Sequence, residues 1–245
     1  MRSILALLTA VIYLILSIPI LLVMLVVRHF KPEAAQLAHQ RIVQTVLKTI
    51  LFFSGTKITV IGLDNIPADE PVLFVGNHLS IFDIIIAYSQ MKTRTGFISK
   101  DSLKKIPLLR ENMRFLDCLF LDRSDLRQGL ETILTAVETV KRGVSIFIFP
   151  EGTRNKSGDA TALLPFHNGS FKIAQRTGCA IVPVAFTGTD AIFEQHVPWV
   201  KAKHVVVEYG APVRYSDLTK EERKQVGELF RTKIRDMIIK NEKLI

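Results

Sequence analysis

The chain has 245 residues, a formal net charge of +9 and 48% apolar residues. That length supports one core and an appended element. The basic balance suits anionic partners, but no nucleic-acid recognition module or RNP-like aromatic motif is present, so nucleic acid is excluded in favour of anionic lipid. Two cysteines, Cys118 and Cys179, sit in apolar stretches without a CxxC partner or a nearby ligand histidine. They read as reduced core residues, and no metal site is expected.

The apolar excess is local. Ile4–Val27 is an uncharged run of 24 residues, a helix of ~36 Å at 1.5 Å per residue and long enough for a bilayer core. A secretory signal would carry only about 7–15 apolar residues and a small-residue cleavage site, so the run reads as a retained anchor. Pro19 inside it allows a kink, and with it an anchor that dips rather than crosses. Arg28-His29-Phe30-Lys31 follows the run, whereas Arg2 alone precedes it. The positive-inside rule then puts the downstream chain on the cytoplasmic face of a membrane.

Next, "QRIVQTVLKTILFF" alternates polar and apolar pairs with a period near four, the pattern of an amphipathic helix closed by Gly55. Such a helix either packs on the core or lies in the lipid interface, and the neighbouring anchor favours the interface. Residues 1–55 are therefore expected to form an N-terminal membrane-associated helical segment, and 56–245 a separate domain.

From Lys57 short apolar runs alternate with helical patterns. Strands are expected at Lys57–Ile61, Pro71–Val75, Thr95–Ser99, Cys118–Leu121, Ser145–Phe149, Ala180–Phe186 and His204–Tyr209. Helices are expected at Ile81–Met91, Ser102–Arg114, Asp125–Arg142, Gly169–Arg176 and Lys220–Asn241, the last opened by a Thr219-x-x-Glu222 capping box. The alternation specifies an α/β fold, a layered and largely parallel sheet flanked by helices.

Polar residues collect where these strands end, which is where α/β folds place function. The clusters are Asn77-His78 with Asp83, Ser99-Lys100, Asp122-Arg123, and "FPEGTRNKSG" at 149–158. Ser80 and Asp83 have the spacing of a capping box, while His78 and Asp83 have the chemistry of a base and its orienting carboxylate. No G-x-S-x-G elbow is present, and Ser80 looks like a cap, so the nucleophilic hydroxyl is expected from a substrate. Arginines around a glycine turn suit a phosphate. The residues thus suggest a base activating a hydroxyl on a phosphorylated molecule at a membrane.

The chain resembles the 1-acylglycerol-3-phosphate acyltransferase family. "NHLSIFD" is similar to its first block, N-H-x-x-x-x-D; "SKDSLKKIPLL" with "CLFLDR" to its second; "FPEGTRNKSG" to its third; and "IVPVAFTG" to its fourth. The blocks keep the family's order across residues 77–188. The second departs at Asp101-Ser102, where Glu-Leu is common, so no role passes to Asp101. The resemblance implies acyl transfer from acyl-CoA or an acyl carrier protein thioester to the sn-2 hydroxyl of lysophosphatidic acid, without a cofactor and without an acyl-enzyme. It implies His78 as general base oriented by Asp83. It also implies Lys100, Arg123 and Arg154 on the acceptor phosphate, with Glu151, Gly152 and Thr153 shaping that loop. Glycerol 3-phosphate or another lysolipid is the alternative acceptor; a membrane esterase and a non-catalytic lipid-binding protein are the alternatives of other classes.

Overall fold

A computed structural model of the chain describes residues 1–122 and 125–245. Its helices are α1 (Arg2–Phe30), α2 (Pro32–Ser54), α3 (Ile81–Gln90), α4 (Pro107–Phe115), α5 (Leu126–Lys141), α6 (Lys172–Thr177), α7 (Lys220–Lys224) and α8 (Val226–Asn241). The strands are β1 (Lys57–Ile61), β2 (Leu73–Gly76), β3 (Thr95–Lys100), β4 (Leu119–Leu121), β5 (Ser145–Ile148), β6 (Ala180–Thr187), β7 (His204–Tyr209) and β8 (Val213–Arg214).

Among the described residues the eight strands form one sheet of order β1-β7-β6-β2-β5-β3-β4, with β8 paired to β6 off that path. β6, β2, β5, β3 and β4 are parallel neighbours, whereas β7 and β8 run antiparallel to β6. The largely parallel α/β architecture is the one the alternation specifies. Every residue of β2, β5 and β6 is buried, as strands covered on both faces must be.

The pleat sorts their side chains by type. Phe74, Phe97, Phe147 and Phe186 point to one face, packed beneath α3 with Phe82 and Ile86. Leu73, Val75, Ile146, Ile148 and Ile181 point to the other, against Val137 of α5, Ile173 of α6 and Ile234 of α8. The aromatic face rises to the functional site.

α1 is long and apolar enough to cross a membrane. It does not stand apart from the rest of the chain. Near its start Val200 N–H donates to Ser3 Oγ at 2.7 Å. Midway, Tyr13 OH donates to Asn112 Oδ1 at 2.7 Å, and Asn112 Nδ2 donates to Ser17 Oγ at 2.9 Å. Near its end the Arg28 guanidinium lies 5.0 Å over the Phe115 ring. α1 therefore runs along the flank of the sheet domain for most of its length.

α2 ends at Gly55, which takes the left-handed φ of 69° that its sequence position suggests. Its burial differs from a simple amphipathic pattern. Gln36, His39, Gln40 and Gln44 are buried, while Arg41, Thr45 and Lys48 lie on the outer side. The buried amides serve the chain around β3. Gln44 Nε2 donates to Tyr88 O and Met91 O at 2.9 and 2.6 Å. Gln40 donates to Thr93 O at 2.8 Å and accepts from Thr95 N–H at 3.0 Å. The inner stripe satisfies backbone groups that a wholly apolar face would leave unpaired.

Two expected helices are interrupted. The 102–114 helix breaks because Ile106 precedes Pro107 and is held extended, at φ −103° and ψ 99°. The 220–241 helix breaks at Gln225, and Asn168 Oδ1 accepts from Gly227 N–H at 2.9 Å, serving the start of α8 from a distant loop. The Thr219 capping box forms as expected. Both cysteines are free and buried, and burial pushes the Cys118 thiol up to about 12.

Candidate active site

β2 delivers its last residues to the N-terminus of α3. Ser80 caps that helix, taking Phe82 N–H at 2.9 Å, and Asp83 completes the capping box by accepting from Ser80 N–H at 2.8 Å. The same Asp83 oxygen, Oδ2, accepts from Leu79 N–H at 2.7 Å and from His78 Nδ1 at 2.9 Å. The second oxygen, Oδ1, accepts from the Thr189 hydroxyl. Asp83 is fully buried and filled with donors. Because its carboxylate faces Nδ1, the proton of a neutral His78 belongs on that nitrogen and the basic lone pair on Nε2. Nε2 has no partner among the described residues. An imidazole held this way can take a proton at Nε2 while the carboxylate stabilises the cation that forms.

The ring is also held from below. It stacks on Phe149 with centroids 4.1 Å apart and planes 18° from parallel. Phe149 packs on Phe147, which stacks on Phe97 at 4.7 Å. The aromatic face of the sheet thus ends in the imidazole.

The exit of β5 grips the His78 backbone from the side. Glu151 Oε1 accepts from His78 N–H at 2.7 Å, and its Oε2 from Leu164 N–H at 3.0 Å. Asn155 N–H in turn donates to His78 O at 2.7 Å. Glu151 is buried, and that burial raises its carboxyl above the usual value, against the pull of the two backbone donors. Gly152 makes the turn at φ 73°, in the left-handed region that suits glycine. Thr153 and Arg154 are exposed beyond it. The Arg154 Nη1 donates to Glu194 Oε1 at 2.8 Å.

The sheet order explains why these segments meet. β6, β2 and β5 are adjacent and parallel, so Thr189, His78 and Glu151 leave the same edge. Gly188, at φ 76°, turns the chain after β6 so that Thr189 reaches Asp83. β3 lies on the far side of β5, so Lys100 is set off from β2 by about two strand spacings, ~10 Å. Lys100 is exposed and has no hydrogen-bond or ion-pair partner among the described residues. Arg123, expected beside it, lies outside the described residues.

Asp83, His78, Glu151 and Gly152 are therefore brought together, Arg154 stands beside them, and Lys100 borders the group. The sequence reading passed over Thr189, Glu194 and the ring-stacking role of Phe149. Phe149 lies within a motif block; Thr189 has only the signal of following a glycine at a strand exit. A mainly apolar groove of about 380 Å³ opens on the aliphatic face beside the β5 exit, lined by Ile98, Leu121, Leu130, Ile133 and Ile148 with Asp122, Asp125, His167 and Lys172, and it reaches Phe149 and Gly152.

The family described as Acyltransferase matches residues 57–187. The 1-acyl-sn-glycerol-3-phosphate acyltransferase of Borreliella burgdorferi is 30% identical over 194 residues, covering 79% of this chain and 75% of that protein. The enzyme of the same name from Saccharomyces cerevisiae is 30% identical over 210 residues, covering 85% of this chain and 66% of that protein. The chloroplastic LPAT1 of Arabidopsis thaliana is 33% identical over 183 residues, covering 72% of this chain and 50% of that protein. In structure the chain is similar to the 1-acyl-sn-glycerophosphate acyltransferase PlsC of Thermotoga maritima, at a TM-score of 0.76 and 25% identity, covering 96% of this chain and 95% of that one. The ordered motif blocks, the shared fold and these relatives together place this chain in the acyltransferase family, among the 1-acyl-sn-glycerol-3-phosphate acyltransferases.

Proposed function

We propose that the protein transfers an acyl group from a thioester, acyl-CoA or acyl carrier protein, to the sn-2 hydroxyl of lysophosphatidic acid, giving phosphatidic acid for phospholipid synthesis. The observation that carries this is the His78–Asp83 pair, 2.9 Å apart with Nε2 left open, in a chain whose relatives bear that name.

His78 Nε2 accepts the hydroxyl proton as the substrate oxygen attacks the thioester carbonyl. The tetrahedral intermediate collapses, the C–S bond breaks, and the departing thiolate takes the proton back from Nε2. Asp83 holds the imidazolium during the step. No acyl-enzyme is needed: Ser80 is buried, with its hydroxyl accepting from Phe82 N–H as a helix cap. This speaks against an esterase with Ser80 as nucleophile. The backbone N–H groups of Thr153 and Arg154, which have no acceptor among the described residues, are the donors proposed for the carbonyl oxygen.

Arg154 and Lys100, with Arg123, hold the acceptor phosphate, and Gly152 and Thr153 shape the loop beneath it. The apolar groove ending at Phe149 takes an acyl chain. Residues 1–55 act as the membrane-binding part and 56–245 as the acyltransferase domain, on the cytoplasmic face by the Arg28–Lys31 charge. The attachment of α1 along the domain supports a site held at the lipid surface, where a lysolipid enters sideways.

The test is acyl transfer in detergent micelles with lysophosphatidic acid and glycerol 3-phosphate offered separately, each with acyl-CoA or acyl carrier protein donor. Acylation of lysophosphatidic acid is expected. Folded protein that acylates neither acceptor overturns the proposal.

A further inference from the structure

We infer that Glu194 is a positioning residue for acceptor binding: it fixes Arg154 at the N-terminus of α3 with one edge of the guanidinium left open for the acceptor phosphate. This rests on the acyltransferase reading above and adds to it a residue outside the four motif blocks.

Glu194 opens a 3₁₀ turn, Glu194–His196, beyond β6. Its Oε1 accepts twice, from Ile81 N–H at 2.9 Å and from Arg154 Nη1 at 2.8 Å. Its Oε2 is buried and without a partner among the described residues. An enclosed carboxylate oxygen with no donor is costly, and a helix cap alone does not require it. α3 already carries Ser80 and Asp83 at its start, and a hydroxyl or amide at 194 would serve Ile81 N–H as well. The feature that calls for a carboxylate is the guanidinium.

The geometry then defines what Arg154 can still do. A guanidinium presents five N–H donors in a rigid plane. Glu194 takes one, through Nη1, and Nε and Nη2 have no partner among the described residues. The Arg154 side chain is 43% exposed against 19% for Glu194, so the arginine is open to solvent while its anchor is largely enclosed. A phosphate monoester bound on that open edge would meet two parallel N–H groups. It would also lie near the N-terminus of α3, since the Glu194 oxygen that holds Arg154 also accepts from Ile81 N–H. Without Glu194 the arginine would have to be ordered by the ligand itself, and acceptor affinity would carry that cost.

The experiment compares the wild type with E194A, E194D and E194Q, measuring KM for lysophosphatidic acid and for the acyl donor separately, together with kcat and thermal unfolding. E194A is expected to raise the acceptor KM by about three- to tenfold, the cost of ordering one long side chain, with donor KM and kcat within about twofold. E194D, one methylene too short to hold both partners, gives the same acceptor-specific rise and serves if E194A does not fold. E194Q, whose amide oxygen can still accept from both but without the charge, recovers part of the loss. In an R154A background E194A adds nothing, because the two act through one guanidinium. An unchanged acceptor KM in E194A and E194D, an equal rise in both KM values, an E194Q acceptor KM below that of the wild type, or additivity with R154A overturns the inference. A wild type that acylates no acceptor instead removes the acyltransferase reading on which it rests.

Discussion

Replacing Asp83 with asparagine separates the two tasks of this side chain. In the wild type Oδ2 accepts from His78 Nδ1, Leu79 N–H and Ser80 N–H, and Oδ1 accepts from the Thr189 hydroxyl. An asparagine can put its oxygen on the Oδ2 side and keep all three of the first contacts. Its NH2 then faces Thr189, whose hydroxyl rotates from donor to acceptor. The helix cap and the His78 tautomer both survive. The weaker neutral hydrogen bonds are offset in part by relief of a buried charge, so the stability loss should stay under about 2 kcal/mol. What is lost is the attraction between a carboxylate and the imidazolium of the proposed mechanism. At about 4 Å and an effective dielectric of ~20 that is roughly 4 kcal/mol, or about a thousandfold in rate. The assay is kcat at saturating donor and lysophosphatidic acid, beside thermal unfolding in the same detergent. A D83N enzyme within about tenfold of the wild-type kcat would refute the electrostatic role. Normal turnover in a protein destabilised by more than about 3 kcal/mol would mean the carboxylate serves the fold alone.

Thr189→Val removes the hydroxyl on Asp83 Oδ1 at nearly constant shape, and a lost bond to a charged group of ~1.5–3 kcal/mol should lower kcat by about tenfold or more; Thr189→Ser should restore it. Glu151→Gln offers one amide oxygen to two backbone donors, His78 N–H and Leu164 N–H, so thermal or chemical unfolding should show a loss of about 1–3 kcal/mol and kcat should fall with it. The Glu151 carboxyl is raised above its usual value of 4.5 by burial. Its contribution to stability is therefore fully present below about 4.5 and is lost as pH rises through the higher folded value. Wild-type stability measured against E151Q should accordingly fall with rising pH across that window. Asn112→Ala unpairs Tyr13 OH and His39 Nε2 and removes the donor to Ser17 Oγ, which keeps its bond to Leu14 O, and the seam between α1 and the domain should weaken by about 2–4 kcal/mol in unfolding measurements.

The sequence marks β1 and β7 to the residue because each is a short apolar run bounded by polar or turn residues. It also carries a signal for the Pro107 break, which the expected Ser102–Arg114 helix overran, since a proline restrains the residue before it. The Gln225 break could not be read there, because the acceptor for Gly227 N–H is Asn168, 59 positions away. The inner stripe of α2 was hidden for the same reason. Its glutamines look like surface residues until the carbonyls of Tyr88, Met91 and Thr93 are brought against them. Within the site, His78 and Asp83 are legible as a pair because they are five positions apart and one helix start holds both. Glu151 is legible as a motif residue but not as the support of His78 N–H, 73 positions distant. Thr189 and Glu194 carry no motif of their own, and only the adjacency of β6 and β2 reveals them.

The cap reading and the catalytic reading of residues 76–83 thus meet on one atom, Asp83 Oδ2. Ser80 Oγ and the backbone donors on Asp83 Oδ2 fix where α3 begins. That start fixes the carboxylate, and the carboxylate fixes the imidazole against Phe149. Two neighbouring strand exits then clamp the same point, β5 through Glu151 on His78 N–H and β6 through Thr189 on Oδ1. Because β6, β2 and β5 are adjacent and parallel, a change in their order would scatter all three groups. The His78 imidazole is therefore preorganised by the sheet rather than by its own loop.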